Sequence, residues 1–434
     1  MKFFAKGLHW RFQLDDSSLL GVAKRFRQAC FGILLAVLVV SYTVGFGTGL
    51  AADWPRFRGP HNNGVSEEAD WNANWAVGGP PILWRSDIGT GYSSVVVAHG
   101  RLYTLGNEEN VDTVYCLNAE TGEEIWTHSY PCATDANEFE GGPTSTPTIK
   151  EGAVFTFSRS GDLFCFDAGS GEIRWQVNVP QVTSLRTPGW GFSGSPWVMD
   201  GLVIVNVGDA GVALSIEDGS VSWVSADKDS GYSSFVPFVQ EGESLLLFGS
   251  ARSYVCIEAS TGVERWRQRW LTTFGCNATN PIVANGQVFL SSGYNRGSAL
   301  LTFKEGEPVL VWKSKEFQNQ LSSSVLLDGL VYGANGSVSD GATLACLRLR
   351  DGKVLWNAAD ERIGGLTAAG RYLITMSDEG RLAVFEPNEM SPGAVSQCKV
   401  FDEQCWTAPV LCNGRIYCRG ALGALVCVDV RNPN

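Results

Sequence analysis

LNAETGEEIW, Leu117 to Trp126, is one copy of a repeated phrase, and its order of residues decides the fold. An apolar run, VYCLN (Val114 to Asn118), leads into a polar turn with a glycine, and a second strand leaves the turn carrying a tryptophan. Gly122 stands where a tight turn asks for a positive φ, and a neighbouring Thr or Ser can hydrogen-bond its own backbone there. The phrase returns as FDAGSGEIRW ending at Trp175, IEDGSVSW at Trp223, IEASTGVERW at Trp266 and LRDGKVLW at Trp356, with Gly171, Gly219, Gly262 and Gly352 at the turn. With Trp84 and Trp312 included, the tryptophans keep spacings of 42, 49, 48, 43, 46 and 44 residues. A period in the forties assembled from short strands predicts a propeller.

Two further strands precede each phrase, as in SSVVVAHG and RLYTLG (Ser93 to Gly106) or SSVLLDG and LVYGANG (Ser323 to Gly336). Such runs are short, β-branched and bounded by His-Gly, Asn-Gly or Asp-Gly, so they read as buried strands rather than helix. Six units end at Trp126, Trp175, Trp223, Trp266, Trp312 and Trp356, and a weaker seventh runs from Gly364 through RLAVFEP to about Val400. An eighth opens at WTAPVLCNG (Trp406 to Gly414) and stops one strand short, while PILWRSDIG (Pro81 to Gly89) carries Trp84 with no strands before it. Placing residues 81–89 outermost in the last blade gives an all-β, eight-bladed propeller with four antiparallel strands per blade. The ring then has no open edge at its seam. Each tryptophan can bury about 150 to 250 Å² between blades, so the ladder is read as structural.

Residues 1–52 differ in kind. Lys24, Arg25 and Arg27 precede FGILLAVLVVSYTVGFGTGL (Phe31 to Leu50) and small residues at Ala51 and Ala52, the pattern of a signal peptide or, if uncleaved, an N-terminal membrane anchor contacting the bilayer through residues 31–50. Residues 53–80 read as an extended linker packing on the propeller, and 81–434 as the propeller itself. The first 52 residues hold six Lys or Arg against two Asp, so the chain's net charge of −12 leaves about −16 for the rest. With no basic cluster in the repeats, nucleic acid is excluded as a partner. Twelve cysteines would suggest disulfides in an exported chain. However, Cys116, Cys165, Cys256, Cys346 and Cys427 share one register in five separate blades, too far apart to bridge, and read as small core residues. Cys132, Cys276, Cys398, Cys405, Cys412 and Cys418 fall outside that register, and Cys412 and Cys418 are poorly placed to pair across their hairpin.

Signals of chemistry are sparse. His9, His61, His99 and His128 are scattered and predict no metal site, and neither CxxCH nor HExxH occurs. GFSGS (Gly191 to Ser195) misses the last glycine of a nucleophile elbow. Glu138, Glu140, Asp360 and Glu361 read as solvated loop carboxylates rather than an acid and base pair. No catalytic residue is assigned, and the chain reads as a non-enzyme. In a propeller, the loops from each outer strand to the next inner strand gather around the central channel, and here they are the longest and least repetitive segments. They bring Glu140, Arg186, Trp190, Tyr232, Asn277, Gln320, Arg362 and Trp406 to one face as candidate ligand or partner residues, or as side chains that fill the channel.

LNAETGEEIW, FDAGSGEIRW and IEASTGVERW resemble the tryptophan-docking repeat of quinoprotein dehydrogenases, and residues 53–434 are similar to the pyrroloquinoline quinone (PQQ)-like β-propeller repeat family. That family includes the propeller lipoprotein of the outer-membrane β-barrel assembly machinery. DWPRFRGPHNNGVS (Asp53 to Ser66) resembles the opening of exported bacterial members. The resemblance implies a periplasmic or envelope protein. Quinone-dependent members carry an adjacent Cys-Cys pair, a catalytic Asp and a calcium site, and this chain has no adjacent cysteines. The expected function is therefore a non-catalytic scaffold for an envelope protein or peptide, with no cofactor. The alternatives are a carbohydrate or small-ligand module using Trp190, Tyr232 and Trp406, and a PQQ- and calcium-dependent oxidoreductase.

Overall fold

The computed structural model describes residues 53–432 apart from 136–138, 227–228 and 338–339, so the expected signal or anchor segment lies outside the described residues. Eight sheets form the propeller, each with the four antiparallel strands that the repeat predicts, and the seventh carries a fifth strand. Blade 1 shows the plan: inner strand Val96–Ala98, then Arg101–Glu108, Val111–Asn118 and outer strand Glu124–Pro131. Inner strands turn into second strands through two-residue loops such as Asn413-Gly414, whose φ values of 55° and 65° are those of a type I′ hairpin. Blade 8 consists of Val410–Cys412, Arg415–Arg419, Ala424–Asp429 and, outermost, Ile82–Asp87 from the other end of the domain. Trp84 pairs there with Cys427, as Trp126 does with Cys116 in blade 1. Arg419 pins the seam: its Nη1 donates to the carbonyls of Ser93 (2.6 Å) and Leu105 (2.5 Å) in and beside blade 1. The one α-helix among the described residues, Val179–Thr183, is a single short turn after blade 2.

The structure gives the repeated phrase a second meaning. Five of the seven tryptophans, Trp84, Trp126, Trp175, Trp223 and Trp312, reach into the following blade and lie on that blade's turn glycine. A Cβ added at Gly122 would sit 2.6 Å from the Trp84 ring, one at Gly219 2.7 Å from Trp175, and one at Gly352 2.6 Å from Trp312. The indole N–H then donates to a backbone carbonyl of the same turn, from Trp84 to Ala119 (3.2 Å), Trp175 to Ile216 (2.8 Å) and Trp312 to Leu349 (2.8 Å). Trp266 meets a shorter turn in blade 5 and works through a relay, donating to Gln240 Oε1 (3.0 Å) while Gln240 Nε2 donates to Gly306 O (2.9 Å).

Blade 7 lacks its tryptophan. Ser396 stands opposite Val384, one step before the bulge, where the other blades carry the indole. Residues 71–79 take its place: Trp71, Ala73 and Trp75 join the core between blades 7 and 8, Ser396 Oγ donates to Ala73 O (2.7 Å), and Asn72 N–H donates to Val430 O (2.6 Å).

The cysteines pack as small apolar residues. No disulfide joins any of the described ones, and the five in register are fully buried opposite their tryptophans or beside them. Burial pushes these thiols up, to about 11 for Cys165 and about 12 for Cys256, Cys346 and Cys427. Groups that bind protons more tightly when folded stabilise the fold below their unfolded value, and that contribution is lost as pH rises. The urea midpoint should therefore hold steady up to about pH 9, near the ordinary thiol value, and fall progressively through the range to about 12. A midpoint unchanged across that range would contradict the buried-thiol reading.

Candidate functional site

The central channel is closed by the segment that follows residue 53. Trp54 exchanges backbone hydrogen bonds with Val97 in blade 1 (2.7 and 2.9 Å), and Pro55 O accepts from Ile149 N–H in blade 2 (2.8 Å). Arg56 lies over the Trp197 ring of blade 3 at 4.8 Å, and Asn62 Nδ2 donates to Phe235 O beside blade 4. Val65–Ser66 adds a parallel strand to Ala368 and Ala369 of blade 7, while Ser66 Oγ donates to Leu411 O of blade 8 (3.0 Å). Arg58 is buried. Its guanidinium donates to the carbonyls of Asn62, Asn63, Ser323 and Ser324, the last at 2.7 Å, and burial pushes its pKa down to about 10. An arginine so placed stays charged at neutral pH with four of its five N–H groups on backbone carbonyls.

Above this plug, a belt of hydrogen bonds joins successive blades. Ser94 N–H donates to Thr146 Oγ1 (3.0 Å), Thr146 N–H to Ser195 Oγ (3.0 Å), and Ser195 N–H to Ser234 Oγ (2.9 Å). Ser234 N–H continues to Asn280 Oδ1 (3.0 Å), and Asn280 N–H to Ser323 Oγ (2.9 Å). The serine, threonine or asparagine stands two residues before the inner strand in each of six blades. Gly365 and Ala408 occupy the place in blades 7 and 8, and the belt ends there.

Plug and belt form the floor of a cavity of about 1000 Å³ that opens on the face of the long loops. Its wall is aromatic. On one side Tyr92 stacks on Trp406 (5.3 Å between centroids, planes 19° apart) with Phe139 edge-on to Tyr92 at 6.0 Å. On the other, Trp190 contacts Tyr232 at 5.8 Å and the edge of Phe274 at 5.6 Å, and Phe274 meets Tyr294 at 5.9 Å. The tyrosines and the thiol here keep their protons. Burial, with Asp229 nearby, pushes Tyr232 up to about 12, burial pushes the Cys276 thiol up to about 11, and burial with the Glu140 carboxylate raises Tyr92.

Of the residues singled out from the sequence, Trp190, Tyr232, Gln320 and Trp406 line this cavity. Glu140 stands behind it, accepting a hydrogen bond from the Tyr92 hydroxyl. Asn277 does not reach the face. It is fully buried, its amide donating to Ser250 O (2.8 Å) and Trp270 O (3.0 Å) while Oδ1 accepts from Ser292 (3.0 Å). Arg186 pairs with Asp229 outside the cavity wall (3.3 Å). Arg362 is bound to Asp378 and Glu379 in a separate charged cleft. Sequence reading missed Tyr92, Phe139, Phe274 and Tyr294. The first had a signal, since GYSS occurs both at Gly91 to Ser94 and at Gly231 to Ser234, where Tyr232 was noted.

A sequence profile for a family described as outer membrane protein assembly factor BamB matches residues 110–358. The chain belongs to that family. Solved structures share this BamB-family fold. BamB from Moraxella catarrhalis superimposes with a TM-score of 0.58 at 16% identity, covering 80% of this chain and 100% of its own. A quinohemoprotein alcohol dehydrogenase from Comamonas testosteroni gives 0.63 at 16% identity, covering 88% and 81%. A europium-containing methanol dehydrogenase gives 0.63 at 14%, covering 87% and 89%. At these identities the likeness concerns the fold alone, and no curated protein matches the chain by sequence.

The dehydrogenase neighbours prompt the question of whether a quinone and its cation fit this BamB-family propeller. They do not fit its cavity. Calcium asks for six to eight oxygen ligands rich in carboxylate, whereas among the described residues Asp340 is the one carboxylate on the cavity wall and no group of three His, Cys, Asp or Glu side chains is placed to hold a metal. A tricarboxylate quinone would also need cations, and the guanidinium of Arg58 is committed to four carbonyls.

Proposed function

We propose that this protein is an exported, non-catalytic interaction scaffold of the bacterial cell envelope that holds its partner on the loop face. The observation that carries the reading is the aromatic cavity over a closed floor. Half-buried rings facing one another across a pocket of this size are what recognition sites present, and among the described residues the wall offers no nucleophile beside a base. Tyrosines and a thiol that keep their protons are donors and apolar surface, not acid and base catalysts. Membership of a family described by an outer-membrane assembly factor, together with the basic and apolar segment before residue 53, supports the address.

The test is site-specific photo-cross-linking in intact cells. A cross-linker at Leu321, exposed on the cavity rim, should give a discrete adduct that one at Glu241, on the inner-strand turn at the opposite end of the blades, does not. Adducts at Glu241 alone, or none at Leu321, would remove the loop face as the partner site.

A further inference from the structure

We infer that the aromatic cavity is a receptor for a neutral oligosaccharide, an inference that rests on the loop face being the recognition face. Three observations narrow the ligand. The two aromatic clusters, Tyr92 with Trp406 and Trp190 with Phe274, present flat apolar surface on opposite walls. Such faces stack against the C–H faces of sugar rings.

Hydroxyl donors stand on the floor. Ser195, Ser234 and Ser323 line the cavity, are at least nine-tenths buried, and accept an N–H from the preceding blade. A serine hydroxyl has one proton to donate besides its acceptor sites, and among the described residues none of these three protons meets an acceptor. Together they form a set of neutral donors that awaits a ligand rich in oxygen acceptors.

Charge and backbone weigh against two rivals. An anionic ligand would want a cation, and the one on the cavity lining among the described residues, Arg58, has four of its five N–H groups on carbonyls. Strand addition, one of the ways an extended peptide binds, is blocked at the inner edges of blades 1 and 7, which Trp54 and Val65–Ser66 already cover. A polar, uncharged ligand with apolar faces suits the cavity best, and that is the chemistry of a neutral glycan.

Phe274 supplies a clean test. It is 72% exposed, in the cavity wall, and its φ of 62° is a left-handed conformation that a phenylalanine adopts only at a cost. Phe274→Gly relieves that strain while removing the ring. The probes are neutral gluco-, xylo- and N-acetylglucosamine oligomers of several units, titrated against the full chain with tryptophan fluorescence as the readout. At least one series should bind saturably with Kd at or below about 1 mM. Phe274→Gly and Trp190→Ala should each weaken that binding by about tenfold or more, with the melting temperature of Phe274→Gly unchanged or raised. No saturable binding by any probe, or binding untouched by both substitutions, would overturn the inference. So would saturable capture of an apolar peptide that both substitutions abolish. In these cases a Leu321 adduct with a protein would still uphold the scaffold reading, whereas loss of that adduct as well would remove both.

Discussion

Trp175→Ala should destabilise the propeller by about 3 to 5 kcal/mol, the range for truncating a buried tryptophan. The indole is 8% exposed and packs beside Phe155 at 6.1 Å. It lies on Gly219 and donates to Ile216 O at 2.8 Å. Its loss therefore opens a cavity between blades 2 and 3 and strands a carbonyl in one step. The measurement is the urea midpoint at constant slope, set against Trp190→Ala, whose ring stands half-exposed in the cavity wall. A Trp175→Ala midpoint no lower than that of Trp190→Ala would remove the docking role from the ladder.

The second large effect belongs to the turn glycines. Gly171→Ala should cost about 2 to 5 kcal/mol, made of about 1 to 2 for a left-handed non-glycine residue and about 1 to 3 for overpacking. Gly171 has φ +76°, and its added methyl would lie 2.5 Å from the Trp126 ring. Gly201 separates the two contributions, because its φ of +78° is the same while nothing stands within 4 Å of an added Cβ. Gly201→Ala should show only the backbone part. Equal losses at the two positions would mean that the ring contact contributes nothing and that the glycines serve the turn alone.

The propeller was legible because strand, turn and tryptophan repeat at one pitch, and the closing strand followed from counting. Docking was half legible. Gly122 and Gly171 were read as turn residues, which they are, but the contact with a ring from the preceding blade is set by packing between repeats. The substitution of Trp71 and Trp75 for the missing indole of blade 7 left no periodic trace, since residues 53–80 do not repeat. In the cavity, Trp190 and Trp406 were visible as tryptophans out of pitch. Phe139, Phe274 and Tyr294 lie in unrelated loops that only the ring geometry brings together. Asn277 and Arg362 were misplaced on that face because polarity was read without its partners. An amide that satisfies buried backbone and a guanidinium held by two carboxylates look in sequence like residues awaiting a ligand.

Blade 8 joins Ile82–Asp87 to Ala424–Asp429, strands from opposite ends of the domain. A chain emerging in order from a ribosome or a membrane channel completes seven blades with both flanks unpaired. During that interval the outer side of Ala424–Asp429 and the apolar side of Trp84 are open to any other strand, and bringing them together closes a loop that spans nearly the whole domain. The last step of folding is thus also the most hazardous one, and two newly made molecules that trade their first strands would make a swapped dimer from the same contacts.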